Sequence, residues 1–171
     1  MFSKQDIEKY FLAEKQLSLL FIIVGCIAIV MAILFFFLLK TGFYKGAALP
    51  LLLIGFIQLV AGASVYKKSD NDRIRNVYAY DMNPGQLKNE ELPRMQSVLK
   101  KFAVIKWVEV GLVVAALTLI FYYRNNVEKA FWFGLGLTLA IQALITMFAD
   151  FSAEKRAKIY TLGIEHFVGQ K

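Results

Sequence analysis

The chain has 171 residues, of which 58% are apolar and 19% are charged, and its formal net charge at pH 7 is +7. An ordinary water-soluble domain of this length has too little interior to hide so much apolar surface, so the composition excludes that class. The single cysteine also excludes an internal disulfide.

Four apolar runs divide the chain. They cover residues 17–39, 47–66, 105–123 and 130–149. Each has about 19–23 residues, and a helix of about 20 residues crosses the hydrocarbon core of a bilayer. The stretch AILFFFLL at residues 32–39 has no polar face that could meet water, which disfavours a soluble helical bundle. We therefore predict an all-α integral membrane protein with four transmembrane helices.

The polar segments beside these runs are helical in character. Ser3 can cap an N-terminal helix, and a turn at residues 83–85 separates helical patterns over 70–82 and 93–105. Their apolar faces are formed by Ile7 and Phe11, by Ile74, Val77 and Tyr78, and by Met95, Val98, Leu99, Phe102 and Ile105. Such amphipathic helices would lie on lipid headgroups or form a docking surface for a partner.

Basic residues are distributed unevenly between the two sides of the membrane. Sixteen of the twenty Lys and Arg residues fall in the N-terminal segment, the central segment 67–106 and the C-terminal segment, which includes Lys171. The positive-inside rule therefore places both termini in the cytoplasm and the protein in the inner membrane of a bacterial-type cell. Anionic lipid headgroups explain this charge without a nucleic-acid partner. The basic residues expected to face lipid are Lys67, Lys68, Arg73, Arg75, Lys100 and Lys101.

The two halves of the chain resemble each other. FIIVG at residues 21–25 aligns with WVEVG at 107–111, and GFIQLVAG at 55–62 aligns with LAIQALIT at 139–146. These matches predict a duplication, with repeat 1 over residues 1–83 and repeat 2 over 84–171. The fold would then be two tandem hairpins in a parallel-repeat arrangement, related by an axis along the membrane normal.

The duplication pairs two glutamines inside apolar runs, Gln58 and Gln142. An amide without a partner in hydrocarbon costs several kcal/mol, so each should face another helix. Gly55 and Gly62 give the second span a small-residue face, and Gly134 and Thr138 do the same for the fourth. We expect these two spans to meet with the glutamines close together, either as an interhelical bond or as a midplane site for a substrate.

Glu109 is the remaining polar group inside a predicted span. It lies about one turn within the third run, and Lys106 precedes it by three residues. We expect a carboxylate that is paired with Lys106 or reaches the interface, with contact to a ligand or partner as the alternative.

Catalytic and metal-binding motifs are not recognisable. His166 and Cys26 lie in different parts of the chain, and no phosphate-binding loop or dinucleotide glycine pattern occurs. We expect no enzyme, no cofactor and no metal. The favoured function is an inner-membrane interaction protein, such as an immunity protein that binds a toxin or a membrane complex. The alternatives are a small transporter or channel, with a homodimer to provide a path, and a lipid-binding assembly factor.

Overall fold

The computed structural model describes residues 2–169, and their regular structure is helical. Four long helices account for most of it: α1 (Lys4–Leu34), α2 (Gly42–Met82), α3 (Leu92–Tyr123) and α4 (Ala130–Gly169). The outer ends of the two predicted repeats, residues 1 and 170–171, lie outside the described residues, as does the basic residue Lys171.

Local signals set the helix ends. Ser3 caps α1, and its backbone N–H donates to the Asp6 carboxylate at 2.9 Å. A π-helical turn, Phe35–Leu39, extends α1 and ends at Lys40, whose φ of 55° closes the helix in the left-handed region. Short helical segments connect the other elements. They are Pro84–Gln86 and a π-helical turn Leu87–Glu91 before α3, and a 3₁₀ turn Val127–Lys129 before α4.

All four helices are long and apolar enough to cross a membrane, so the prediction of an all-α chain with four candidate membrane helices is confirmed. They are also longer than a bilayer requires. α2 has 41 residues, which corresponds to about 60 Å at 1.5 Å per residue, twice the hydrocarbon thickness. The predicted separate amphipathic helices are therefore continuations of the membrane helices. We call residues 2–16, 67–105 and 150–169 the termini-end half, and residues 17–66 and 106–149 the membrane half.

The helices are arranged as two hairpins. α1 packs along α2, α3 packs along α4, and the hairpins meet through α2 and α4. In the membrane half, α2 and α4 thus form a central pair with α1 and α3 on the flanks. The internal repeat and the side of the membrane that holds the termini remain predictions.

Small residues fill the interior of the membrane half. They include Gly25, Ala28, Ala32, Gly46, Ala47, Ala48, Gly55, Gly62, Ala116, Gly134, Gly136, Ala140 and Ala143. Large apolar side chains such as Leu53, Phe56 and Ile57 point outward instead. Small side chains let helix backbones approach closely, while lipid can cover the large ones.

The termini-end half has a core of large side chains. The buried cluster consists of Ile7, Tyr10, Phe11, Ala79, Leu87, Met95, Ala157, Tyr160 and Ile164. The rings of Tyr10 and Tyr160 stack with centroids 4.2 Å apart, and the Tyr10 hydroxyl donates to the Met95 sulfur at 3.7 Å. Residues from both chain ends and from the central segment meet here, so these three parts lie at the same end of the molecule.

The apolar faces of this half were expected to meet lipid headgroups or a partner, and two of them pack into the core instead. Ile7 and Phe11 of α1 lie in the core, and the stripe of α3 packs there through Met95, Leu99 and Phe102, while Ile105 is exposed. The apolar face of residues 70–82 stays largely on the surface. Ile74 and Tyr78 are exposed, whereas Asn76 and Ala79 are buried and Val77 is half-buried against the core. The inward face of α2 is built from small and polar residues because the neighbouring helices supply the large side chains.

Candidate functional site

The two glutamines meet at the centre of the membrane half. Gln58 Nε2 of α2 donates to Gln142 Oε1 of α4 at 3.3 Å, and each side chain is only 3% exposed. The expected proximity of this pair is confirmed. Gln58 Oε1 has no hydrogen-bond partner among the described residues. The two amides thus bond to each other and leave one acceptor unfilled.

The contact between α2 and α4 is very close near the two connecting loops. A Cβ atom at Gly134 would collide with the Phe43 carbonyl group, and one at Gly46 would collide with that of Phe131. Thr138 Oγ1 donates to the Ala47 carbonyl oxygen at 3.1 Å. Gly134 and Thr138 therefore pack the two hairpins together as expected. Gly46 was not among the predicted helix-packing residues, although it begins the small-residue run GAA at residues 46–48.

Gly55 and Gly62 belong to a different contact from the one predicted. A Cβ at Gly62 would lie 2.8 Å from the Ser18 carbonyl oxygen, and one at Gly55 would lie 2.9 Å from the Ala28 Cβ. Ser18 and Ala28 are on α1. On α2, Gly55 and Gly62 thus face α1, whereas Gly46 and Gln58 face α4.

Glu109 is buried without the cation that the sequence suggested. Its side chain is 6% exposed, and its Oε1 has no hydrogen-bond partner within residues 2–169. Lys106 pairs instead with Glu154 Oε2, with its Nζ at 2.7 Å. Lys158 also pairs with Glu154, and hydrogen bonds from these two lysines lower the pKa of the Glu154 carboxyl group. The expected pairing of Glu109 with Lys106 is therefore wrong, because a second carboxylate takes the lysine.

Glu109 lines a groove between α3 and α4, which we call the α3–α4 groove. It has a volume of about 500 Å³ and lies where both helices leave the apolar runs. Thr146 and Asp150 of α4 lie close enough to interact with the Glu109 carboxyl group. The remaining walls are mostly apolar. They comprise Phe102, Val110, Leu144, Met147, Phe148 and Phe151, together with Lys106 and Glu154.

A second groove, the α1–α4 groove, lies in the termini-end half. Its volume is about 520 Å³. Tyr10 and Tyr160 contribute to its lining, together with Ile159 and Leu162, each 63% exposed. Its polar lining residues are Asp6, Lys9, Arg156 and His166.

Ion pairs that are buried or partly buried connect residues of the termini-end half beside this groove. Glu91 is almost completely buried and accepts two hydrogen bonds from Arg94, at 2.8 and 2.6 Å. Arg156 donates to Glu14 at 3.3 Å, while burial raises the pKa of the Glu14 carboxyl group against the effect of that arginine. Burial also raises the pKa of the Tyr160 phenol. Glu91 was not among the predicted site residues, because its only signal in the sequence is an arginine three residues later.

The basic residues expected to face lipid fall into two groups. Lys67, Lys68, Lys100 and Lys101 are exposed. The other two belong to ion pairs within the termini-end half: Arg73 with Asp70, and Arg75 with Asp72 and Glu91. The exposed lysines are thus the ones available to lipid headgroups.

Comparisons of the chain with protein-family models, with curated proteins and with solved structures find no match. Within the described part of the chain, no group of three or more His, Cys, Asp or Glu side chains is placed to hold a metal ion. A proposal for the function therefore rests on the two grooves and the polar groups beside them.

Proposed function

We propose that this chain is a non-enzymatic membrane interaction protein that binds a protein partner in the α1–α4 groove. The observation that supports this is the exposure of Ile159 and Leu162 in a part of α4 beyond its apolar run. Exposed large apolar side chains that line a groove are typical of interaction sites. The role we assign is that of an immunity protein, which protects the membrane by binding a toxin.

Lipid does not account for these two side chains. The apolar run of α4 ends at residue 149. Ile159 follows ten residues later, which is about 15 Å along a helix that continues without a break. At that distance from the hydrocarbon, an apolar surface is better covered by protein than by acyl chains.

The lining of the groove indicates the chemistry of the partner. Tyr10, Ala13 and Gly163 form an apolar floor that would accept the apolar face of a helix. Lys9 and Asp6 beside it carry opposite charges, and Arg156 is paired with Glu14, so the apolar floor is the feature that selects the partner. We therefore propose an amphipathic helix of the toxin as the occupant.

The distribution of basic residues supports the location. We propose the inner membrane of a bacterial-type cell, with the termini-end half in the cytoplasm. Lys67, Lys68, Lys100 and Lys101 would then contact anionic lipid headgroups. The partner would approach the groove from the cytoplasmic side.

The test is protection of cells that express the product of the adjacent gene as the toxin. Wild-type protein is expected to restore growth, and Ile159→Gln is expected to lower the surviving fraction at least tenfold. Ile74→Gln is the matched control, because Ile74 is equally exposed at 63%, lies in the same half and does not line the groove. Membrane levels of both variants are compared by immunoblot.

Three results would contradict the proposal. Wild-type protein that leaves the cells unprotected would remove the immunity role. Equal loss in both variants would remove the groove as its site. A dimer in analytical ultracentrifugation that Ile159→Gln converts to a monomer would mean that a second copy of this chain, and not a toxin, occupies the groove.

Transport is the less favoured function. Gln58 and Gln142 bond to each other, and neither lines the α1–α4 groove or the α3–α4 groove. A midplane transport site would require that flux in reconstituted liposomes fall when Gln58, Gln142 and Glu109 are replaced by Ala, Ala and Gln.

A further inference from the structure

The α3–α4 groove combines an apolar wall with a carboxylate that lacks a cation. Leu144 and Phe148 line it and are largely exposed on the outer surface of the bundle, where acyl chains surround a membrane protein. Glu109 lies inside, nearly buried, with Oε1 unpartnered within the described residues. The Glu109 carboxyl group interacts with Thr146 and Asp150, but a buried oxygen without a donor is unfavourable, so the described part of the groove lacks a donor for Oε1.

The neighbouring charges do not complete it. Asp150 adds a second carboxyl group beside Glu109, and Lys106 is paired with Glu154. Thr146 has one hydroxyl proton, which the Glu109 carboxyl group shares with the backbone carbonyl oxygens of Gln142 and Ala143, at 3.1 and 3.0 Å from Thr146 Oγ1. The missing group is therefore a cation that can donate hydrogen bonds and can reach the groove from the bilayer.

We propose that the α3–α4 groove binds a phospholipid with a primary ammonium headgroup, that is, a phosphatidylethanolamine. Its ammonium group donates to Glu109 and Asp150. Its phosphate group lies toward Lys106, which lines the same groove and remains half-exposed in its pair with Glu154. One acyl chain follows Leu144 and Phe148 into the membrane half.

Other lipids fit less well. An anionic phosphatidylglycerol has the phosphate charge without an ammonium group to offset it, so it would bring net negative charge toward Glu109, Asp150 and Glu154. A phosphatidylcholine has a cationic headgroup without N–H donors, so it leaves Glu109 Oε1 without a hydrogen bond. Preferential binding of lipids with a primary ammonium group is therefore the property that identifies this site. This lipid binding does not depend on a partner in the α1–α4 groove.

The test is native mass spectrometry of the purified protein in detergent. The lipids phosphatidylethanolamine, phosphatidylcholine and phosphatidylglycerol are titrated with identical acyl chains. Wild-type protein is expected to bind the ethanolamine lipid about tenfold more tightly than the other two. Glu109→Gln is expected to reduce its affinity to that for the choline lipid. Glu90→Gln, an exposed position hydrogen-bonded to Gln86, is expected to leave the preference unchanged.

Two further measurements, one with a second variant and one with a soluble competitor, test the acyl-chain part of the site. Leu144→Trp fills the path of the acyl chain without changing a charge, so it should weaken binding even if Glu109→Gln does not fold. Soluble glycerophosphoethanolamine, which has no acyl chains, should not compete. Equal affinities for the three lipids, unchanged selectivity in Glu109→Gln with normal circular dichroism, full binding by Leu144→Trp, or competition by the soluble headgroup would each overturn the proposal.

Discussion

The two halves of this molecule bury opposite kinds of residue. In the membrane half, glycine and alanine lie between the helices and large apolar side chains face outward. In the termini-end half, Ile7, Leu87, Met95 and Ile164 are completely buried, and ion pairs connect the helices at the surface. The same four helices continue through both halves, so the difference comes from the side chains and not from the architecture.

The difference follows from the solvent on each side of the boundary. Water drives large apolar side chains inward, because each buried one stabilises the fold by about 1.5–3 kcal/mol. Lipid provides no such drive, so helices in it associate through close backbone packing and interhelical hydrogen bonds. Shortening a buried side chain should therefore be most destabilising in the termini-end half, and enlarging a buried residue should be most destabilising in the membrane half.

The largest effect should come from truncation in the termini-end core. Ile164→Ala is expected to lower the free energy of unfolding by about 2–5 kcal/mol, because it opens a cavity at a fully buried position. Ile57→Ala, at a position 64% exposed in the membrane half, is expected to change it by less than about 0.5 kcal/mol. Equilibrium unfolding in mixed micelles, followed by circular dichroism, measures both. Similar losses for the two variants would abolish the distinction between the halves.

The next largest effect should come from enlargement in the membrane half. Gly46→Ala is expected to lower stability by about 1–3 kcal/mol, since its Cβ would meet the Phe131 backbone and separate α2 from α4. Gly111→Ala is the control, because a Cβ there has nothing within 4 Å. It should stabilise α3 by about 0.5–1 kcal/mol through helix propensity. The same unfolding assay applies, and a harmless Gly46→Ala would contradict the close approach of the two hairpins.

The smallest effect should be the coupling between the two glutamines. A double-mutant cycle with Gln58→Leu and Gln142→Leu is expected to give an interaction energy of about 0.6 kcal/mol, typical of hydrogen bonds between membrane helices. The cycle isolates the amide–amide bond from the effects of each single substitution. A coupling energy of zero would mean that close packing alone joins α2 to α4.

Much of the membrane half was predictable from the sequence. The length of the apolar runs predicted the four spans. The need of a buried amide for a hydrogen-bond partner predicted the contact between Gln58 and Gln142. The assignment of Gly55 and Gly62 to the α2–α4 contact was wrong, since small residues show that a helix is approached closely and do not show by which neighbour.

The termini-end half was harder to predict for a related reason. The apolar pattern marked Ile74 and Tyr78, which are exposed, and did not indicate that Asn76 and Ala79 form the buried face of α2. The side of a helix that is buried depends on which helices surround it, and a periodic pattern does not contain that information. The same limit applies to Glu109. The neighbouring Lys106 pairs with Glu154, which lies 45 residues beyond Glu109 in the chain.

The composition of the termini-end core has a consequence for biogenesis. Ile7 and Tyr10 come from α1, and Tyr160 and Ile164 come from the C-terminal turns of α4. This core cannot close until α4 has been synthesised as far as Ile164. Before that moment, the hairpin of α1 and α2 exposes the apolar side chains that α4 later covers. A chain that stops before Tyr160 would therefore leave this apolar surface uncovered.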